Sequence, residues 1–156
     1  MISGVKGQFV GVKTADCVPI LLVDSRNRAV AAVHAGWRGT LLGVARGAAL
    51  ALRSAYGTLP ADLNVAIGPA IGFCCYEVGE VVAGHFRSIF PERGDLNGAA
   101  RLDLPEANRR QLVELGVPAE KIFQAGLCTR CNVAEFFSYR REGDGAGRML
   151  SAVGLR

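Results

Sequence analysis

Two short loops hold the side chains best suited to chemistry. Thr14-Ala15-Asp16-Cys17 sets a carboxylate beside a thiol, and His34-Ala35-Gly36-Trp37-Arg38-Gly39 sets an imidazole just ahead of two glycines and a guanidinium. A thiolate and an imidazole that meet are either two ligands of a zinc or copper ion or a nucleophile and its base. In the plain structural alternative Cys17 is a small buried hydrophobe and His34 a hydrogen-bonded strand-end residue. The neighbours weigh toward chemistry, because small residues such as Gly36 let a ligand approach the backbone and Arg38 offers a forked donor to phosphate or carboxylate. The spacing of Cys17 and His34 matches no closed zinc-finger pattern.

The elements that must position these loops are apolar β-runs over residues 8–13, 20–23 and 29–33, with polar hairpin-length turn material at 24–28. Antiparallel pairing of the second and third runs puts Cys17 just before one strand and His34 just after its partner, so the two side chains can meet at one end of a sheet. Helical spacing then predicts a helix over 40–56, capped by Thr40, with backbone N–H groups around 39–42 directed at the anion that Arg38 holds. A strand over 63–67 delivers an irregular Gly- and Pro-containing loop with Cys74, Cys75 and Glu77. Adjacent cysteines do not readily share one ion and read as structural, whereas Glu77 is either a cap-region carboxylate or a general acid/base. The second helix is expected over 78–90, with His85 at the surface or core edge. The third, capped by Asp103 with Pro105 in its first turn, ends at Gly116.

A strand over 121–127 leads into Cys128-Thr129-Arg130-Cys131. A lone C-x2-C is half of a zinc ribbon or a redox pair, and with no matching half in sight these read as structural thiols near the pocket. The segment 135–141 is aromatic and basic at once, and a turn at 143–147 precedes a last strand over 148–153. Several strands are consecutive hairpins, which argues for mixed sheets with helices outside.

The blocks TADCVPILL, HAGWRG, IGPAIGFCCYEVG and FFSYRREG…GRM, in that order, resemble the bacterial laccase-domain family, once called multicopper polyphenol oxidases and since reassigned as purine nucleoside phosphorylases. The resemblance implies a layered α/β/β/α fold and phosphorolysis of purine nucleosides such as adenosine, inosine and methylthioadenosine, with adenosine deamination as a second activity. It also implies one metal ion, usually zinc, held by a histidine, a cysteine and a second histidine. Cys17 and His34 match the last two; the first belongs to an upstream Gln-Val-His type motif that nothing here matches. The chain is therefore expected to be one laccase-domain-like domain over 1–156 lacking the family's N-terminal portion, since its opening residues read as the middle of a domain. By the same resemblance Cys17, Arg38 and Glu77 are candidate catalytic residues. Asp16, Gly36, Phe137, Tyr139 and Arg140 are candidate substrate-binding residues, with Phe137 or Tyr139 stacking on a purine and Arg140 binding an anion.

Composition bounds the alternatives. Half of the 156 residues are apolar, enough for one sizeable core, and 20 glycines suit a protein of many tight turns. The net charge of +4 and pI near 9.0 come without an aromatic-basic platform, so a phosphate or nucleoside accounts for the excess and nucleic acid is not the expected partner. Five cysteines form no secreted disulfide framework, and no apolar run spans a bilayer. A cytoplasmic protein that works on small molecules, as a monomer or weak homodimer, is expected. The older copper polyphenol oxidase activity is the competing enzymatic reading, yet several copper ions need many histidines and the chain has 2. An inactive, truncated domain is the third.

Overall fold

The computed structural model describes residues 1–156, and at its centre is the hairpin of β3 (Val18–Asp24) and β4 (Ala29–Ala35), the second and third apolar runs. Their antiparallel register pairs Val18 with Ala35, Pro19 with His34 and Asp24 with Ala29. Strand alternation then sorts the side chains. Ile20, Leu22, Ala31 and Val33 enter the main core, whereas Val30 and Ala32 join Leu21 and Val23 on the opposite face. The turn is held by Asp24, whose carboxylate has no exposed surface and accepts from the backbone N–H groups of Arg26 (2.9 Å) and Asn27 (3.1 Å) and from Asn27 Nδ2 (2.7 Å).

β1 (Ile2–Ser3) flanks β4; on the other side β5 (Asn64–Ile67) pairs antiparallel with β3, and β8 (Ile122–Gln124) pairs parallel with β5. The result is a five-stranded mixed sheet in the order β1-β4-β3-β5-β8. The first apolar run does not join it. β2 (Phe9–Thr14) pairs instead with the last strand, β9 (Met149–Gly154), as a two-stranded antiparallel ribbon. Val10, Val12 and Val153 of the ribbon cover Val30 and Ala32 of the sheet.

Helices close the other face. α1 (Trp37–Leu41) and α2 (Val44–Tyr56) follow β4, and α4 (Leu104–Glu114) packs beside them. Ala45, Ala49 and Leu52 are the buried stripe of α2, where small residues bring the helix close to the sheet. Layers therefore run helices, five-stranded sheet, ribbon, the mixed α/β class expected.

Two helix expectations are corrected. The single helix over 40–56 is broken, because Gly43 takes φ of 67° and interrupts the hydrogen-bond ladder between α1 and α2. Thr40 is not its cap: it lies inside α1 with no exposed surface, and its hydroxyl accepts from Asn108 Nδ2 of α4 at 2.9 Å. The helix expected over 78–90 shrinks to α3 (Glu80–Gly84), after which turns carry Phe86 and Phe90 into the core. Residues 77–78 are a short strand, β6 (Glu77–Val78), paired with β7 (Ala100–Arg101). The third helix is capped as expected, with Asp103 accepting from Glu106 N at 2.9 Å.

Candidate functional site

Cys17 stands one residue before β3 and, by the register, opposite Gly36. A Cβ on Gly36 would lie 3.1 Å from Cys17 Sγ, so glycine is what leaves room for the sulfur. Alternation places Cys17 and His34 on the same face, the ribbon side, as diagonal cross-strand neighbours. His34 is exposed and opens onto an apolar cavity of about 700 Å³ with Val12, Ala32 and Leu42 among its walls. The thiol is half-buried; burial and the Asp16 carboxylate push its pKa up, against an opposing pull from Arg148, the residue before β9.

Asp16 is the joint of the site. Its backbone takes φ of 84°, a left-handed conformation that Asp tolerates better than most residues. Its buried carboxylate accepts from Thr129 Oγ1 (2.6 Å), Ser138 Oγ (3.1 Å) and Arg140 N (2.6 Å), and its carbonyl accepts from Ile71 N at 2.9 Å. Expected to touch substrate, Asp16 has both side-chain oxygens engaged within the chain, where they hold Thr129 and the segment of Ser138 and Arg140 beside Cys17, while its carbonyl holds Ile71.

Tyr76 is the residue that sequence reasoning passed over. It directly follows the cysteine pair and precedes Glu77, and its type and spacing alone carry no signal of chemistry. Its phenol is half-buried and sits in the field of Arg140, Cys17, Asp16 and Arg38. Burial raises its pKa, with Arg140 pulling the other way, so the phenol stays protonated and remains a donor at neutral pH. The Arg140 guanidinium lies 5.2 Å from the Tyr76 ring centroid and donates to the Glu77 carbonyl at 2.9 Å. Arg38 is exposed, its guanidinium 4.2 Å from the centroid of the Trp37 ring.

Other candidates fall elsewhere. Glu77 lines a groove of about 410 Å³ with Arg101, Arg130 and Arg140, a cavity that includes neither Cys17 nor Arg38. Phe137 is half-exposed against Gly147, and Tyr139 donates to Asp144 Oδ1 at 3.1 Å. The N–H groups expected to face an anion near Arg38 are partly spent: Thr40 N donates to Gly36 O and Leu42 N to Arg38 O. His85 is exposed, in a separate cavity with Arg46 and Arg110.

The larger correction concerns the remaining cysteines. Cys74, Cys75, Cys128 and Cys131 are free thiols whose sulfur atoms all lie within 4.8 Å of one another, a group able to hold a metal ion. Adjacent Cys74 and Cys75 converge because the backbone turns tightly, with Cys75 N and Tyr76 N both donating to Gly72 O. The two halves of the cluster were each visible in the sequence, but only the parallel placement of β8 beside β5 brings them together.

Comparison with known proteins places this architecture. Residues 1–156 match the family model described as multi-copper polyphenol oxidoreductase laccase. The chain is 39% identical to a purine nucleoside phosphorylase of Bacteroides thetaiotaomicron, covering 98% of this chain and 59% of that protein. It is also 39% identical to the adenosine deaminase RL5 of an unknown prokaryotic organism, over 98% of this chain and 60% of that one. The crystal structure of YlmD from Geobacillus stearothermophilus superposes with a TM-score of 0.92 at 40% identity, covering 99% of this chain and 60% of the other. The chain thus spans about three fifths of the length of the relatives it matches. With a family-model match over its whole length and the same fold in a solved relative, the chain belongs to the multi-copper polyphenol oxidoreductase laccase family.

Proposed function

We propose that this chain carries the nucleoside-binding face of a metal-dependent, cytoplasmic purine nucleoside phosphorylase acting on adenosine, inosine and methylthioadenosine, with adenosine deaminase as a second activity. The observation that carries the reading is the half-buried Tyr76 phenol, with the Arg140 guanidinium 5.2 Å from its ring centroid and Cys17, Asp16 and Arg38 close enough to act on it, while His34 shares a sheet face with Cys17. Two positive charges and a protonated phenol suit a substrate pair that is anionic on one side and a nitrogen heterocycle on the other. The names of the relatives, purine nucleoside phosphorylase and adenosine deaminase, agree with that chemistry.

In phosphorolysis a phosphate oxygen attacks the anomeric carbon while the bond to the purine nitrogen breaks, and the departing base takes up negative charge and then a proton. Arg38, exposed and turned over Trp37, is assigned to the phosphate. Tyr76 is assigned to donate a hydrogen bond to the purine ring as its charge develops, with Arg140, stacked over the phenol, holding the ring in place. Phe137 and Tyr139 remain the candidates for stacking on the base. Glu77 enters as a positioning residue through the carbonyl that accepts from Arg140, rather than as the acid/base. Cys17 and His34 fit one ion: a thiol and an imidazole on one face, with Gly36 clearing space beside the sulfur. A zinc ion there would supply a Lewis acid, and in deamination an activated water.

The test is anaerobic product analysis with adenosine or inosine, with and without phosphate. Free base and ribose 1-phosphate that form only with phosphate support phosphorolysis, and Arg38→Ala is expected to lower its kcat/KM by about 10²-fold. Release of free base that is indifferent to phosphate, or unchanged in Arg38→Ala, removes the phosphorolysis assignment, whereas inosine formed from adenosine without phosphate reports the deaminase activity. The oxidase reading, kept in view by the family's description, requires oxygen consumption with phenols, which a separate aerobic measurement with an oxygen electrode reads out.

A further inference from the structure

We infer that Cys74, Cys75, Cys128 and Cys131 form a second, closed metal site that takes one zinc ion in a tetrathiolate and locks the wall of the pocket. The site is distinct from Cys17 and His34, and it stands on geometry independent of any catalytic assignment.

The first support is distance. A tetrahedral zinc–thiolate centre with bonds of about 2.3 Å has sulfur atoms about 3.8 Å apart. Here Cys74 Sγ lies 3.7 Å from both Cys75 Sγ and Cys131 Sγ, Cys75 Sγ lies 3.4 Å from Cys131 Sγ, and every pair in the group is within 4.8 Å. These are the edges of a small tetrahedron, and they are far longer than the roughly 2 Å of a disulfide bond.

The second support is the surroundings. The backbone N–H of Gly72 points at Cys128 Sγ from 3.3 Å, a donor of the kind that stabilises a bound thiolate. A zinc ion with four thiolates carries a net charge of about −2. Arg101, Arg130 and Arg140 line the groove that Cys74 and Cys75 border, and so supply the compensating charge. Four sulfur ligands leave no open position for water or substrate, which makes the role structural.

The consequence lies in what the ion would join. Cys75 directly precedes Tyr76, and Cys131 lies in the segment that leads to Ser138 and Arg140. Zinc would fasten the Tyr76 loop to the Arg140 loop on one side while Asp16 fastens the latter on the other.

Cobalt(II) titration of the 156-residue chain under anaerobic, reducing conditions tests this, followed by displacement with zinc and native mass spectrometry. Wild type and Cys17→Ala are both expected to show, for one bound equivalent in the tetrathiolate, the intense near-ultraviolet thiolate-to-cobalt band of a tetrahedral centre, whatever further metal wild type binds through Cys17. Cys131→Ser, at an exposed position where the change opens no core, is expected to lose that band and one zinc mass increment relative to wild type while keeping its circular dichroism. Folded wild type without the band overturns the proposal, as does a band that Cys17→Ala abolishes or Cys131→Ser leaves intact. Loss of turnover in Cys17→Ala with the band retained separates the two metal sites.

Discussion

At the scale of single residues, Asp16 and Gly36 are where the site is most sharply determined. Asp16→Asn preserves shape and the left-handed backbone, but one side-chain oxygen becomes a donor facing the donors it formerly accepted from. With hydrogen bonds to a buried charge at stake, a loss of about 2 kcal/mol is expected in urea unfolding, and Asp16→Ala should lose more because Ala also resists positive φ. Equal stability of wild type and Asp16→Asn would show that the three bonds do not hold the loops. Gly36→Ala would crowd Cys17 Sγ at 3.1 Å and also weaken the start of α1, where alanine is a poor cap. A double-mutant cycle with Cys17→Ala isolates the crowding, and a coupling of about 1 kcal/mol is expected, the pair being less destabilised than the sum. Additivity would mean the sulfur is not what Gly36 accommodates. These residues were partly legible. Cys17, His34 and Arg38 stood out by type and by the company they kept, and alternation then placed the first two on one face. Tyr76 was silent, since nothing in a single sequence distinguishes a phenol beside a thiol from one packed in a core.

Among the elements, the β3–β4 hairpin was legible because alternating apolar residues and a polar turn specify it locally. Its anchor yields a pH prediction. Burial tends to raise the Asp24 pKa, but the hydrogen bonds from Asn27 and Arg26 outweigh it and hold the carboxyl below its ordinary value. A folded-state pKa below the unfolded one contributes stability that is fully present above about pH 4 and fades as pH falls through the folded value. Asp24→Asn should therefore trail wild type most at pH 7 and least at pH 3, as judged by urea midpoints. A gap that is constant with pH would mean the charge contributes nothing to the turn. The helices were less legible for two physical reasons. Gly43 fits a helical apolar pattern yet sits at positive φ, so periodicity ran straight across the break between α1 and α2. In residues 78–90 the apolar spacing is helical, but Phe86 and Phe90 reach the core from turns, showing that tertiary burial rather than propensity decides such short segments.

The whole molecule is ordered by contacts between distant segments, which local patterns cannot disclose. The pairing of β2 with β9 and the meeting of two cysteine pairs both depend on where the C-terminal stretch returns. That return also predicts an uneven stability. The main core holds 25 buried residues, against 3 between the sheet and the ribbon, while residues 129–147 are tied mainly by Asp16 and by Arg141, which donates to the carbonyls of Thr129, Arg130 and Phe136. Native-state hydrogen exchange should accordingly find the slowest amides in β3, β4 and β5, intermediate ones in β2 and β9, and the fastest in 129–147. Zinc added to the metal-free chain should slow exchange around residues 72–78 and 128–132 selectively, because ordering those two loops is what a tetrathiolate would do. Uniform slowing across the sheet would instead report global stabilisation by ligand binding. No change at all would mean that the two loops hold their arrangement around Tyr76 and Arg140 by protein contacts alone.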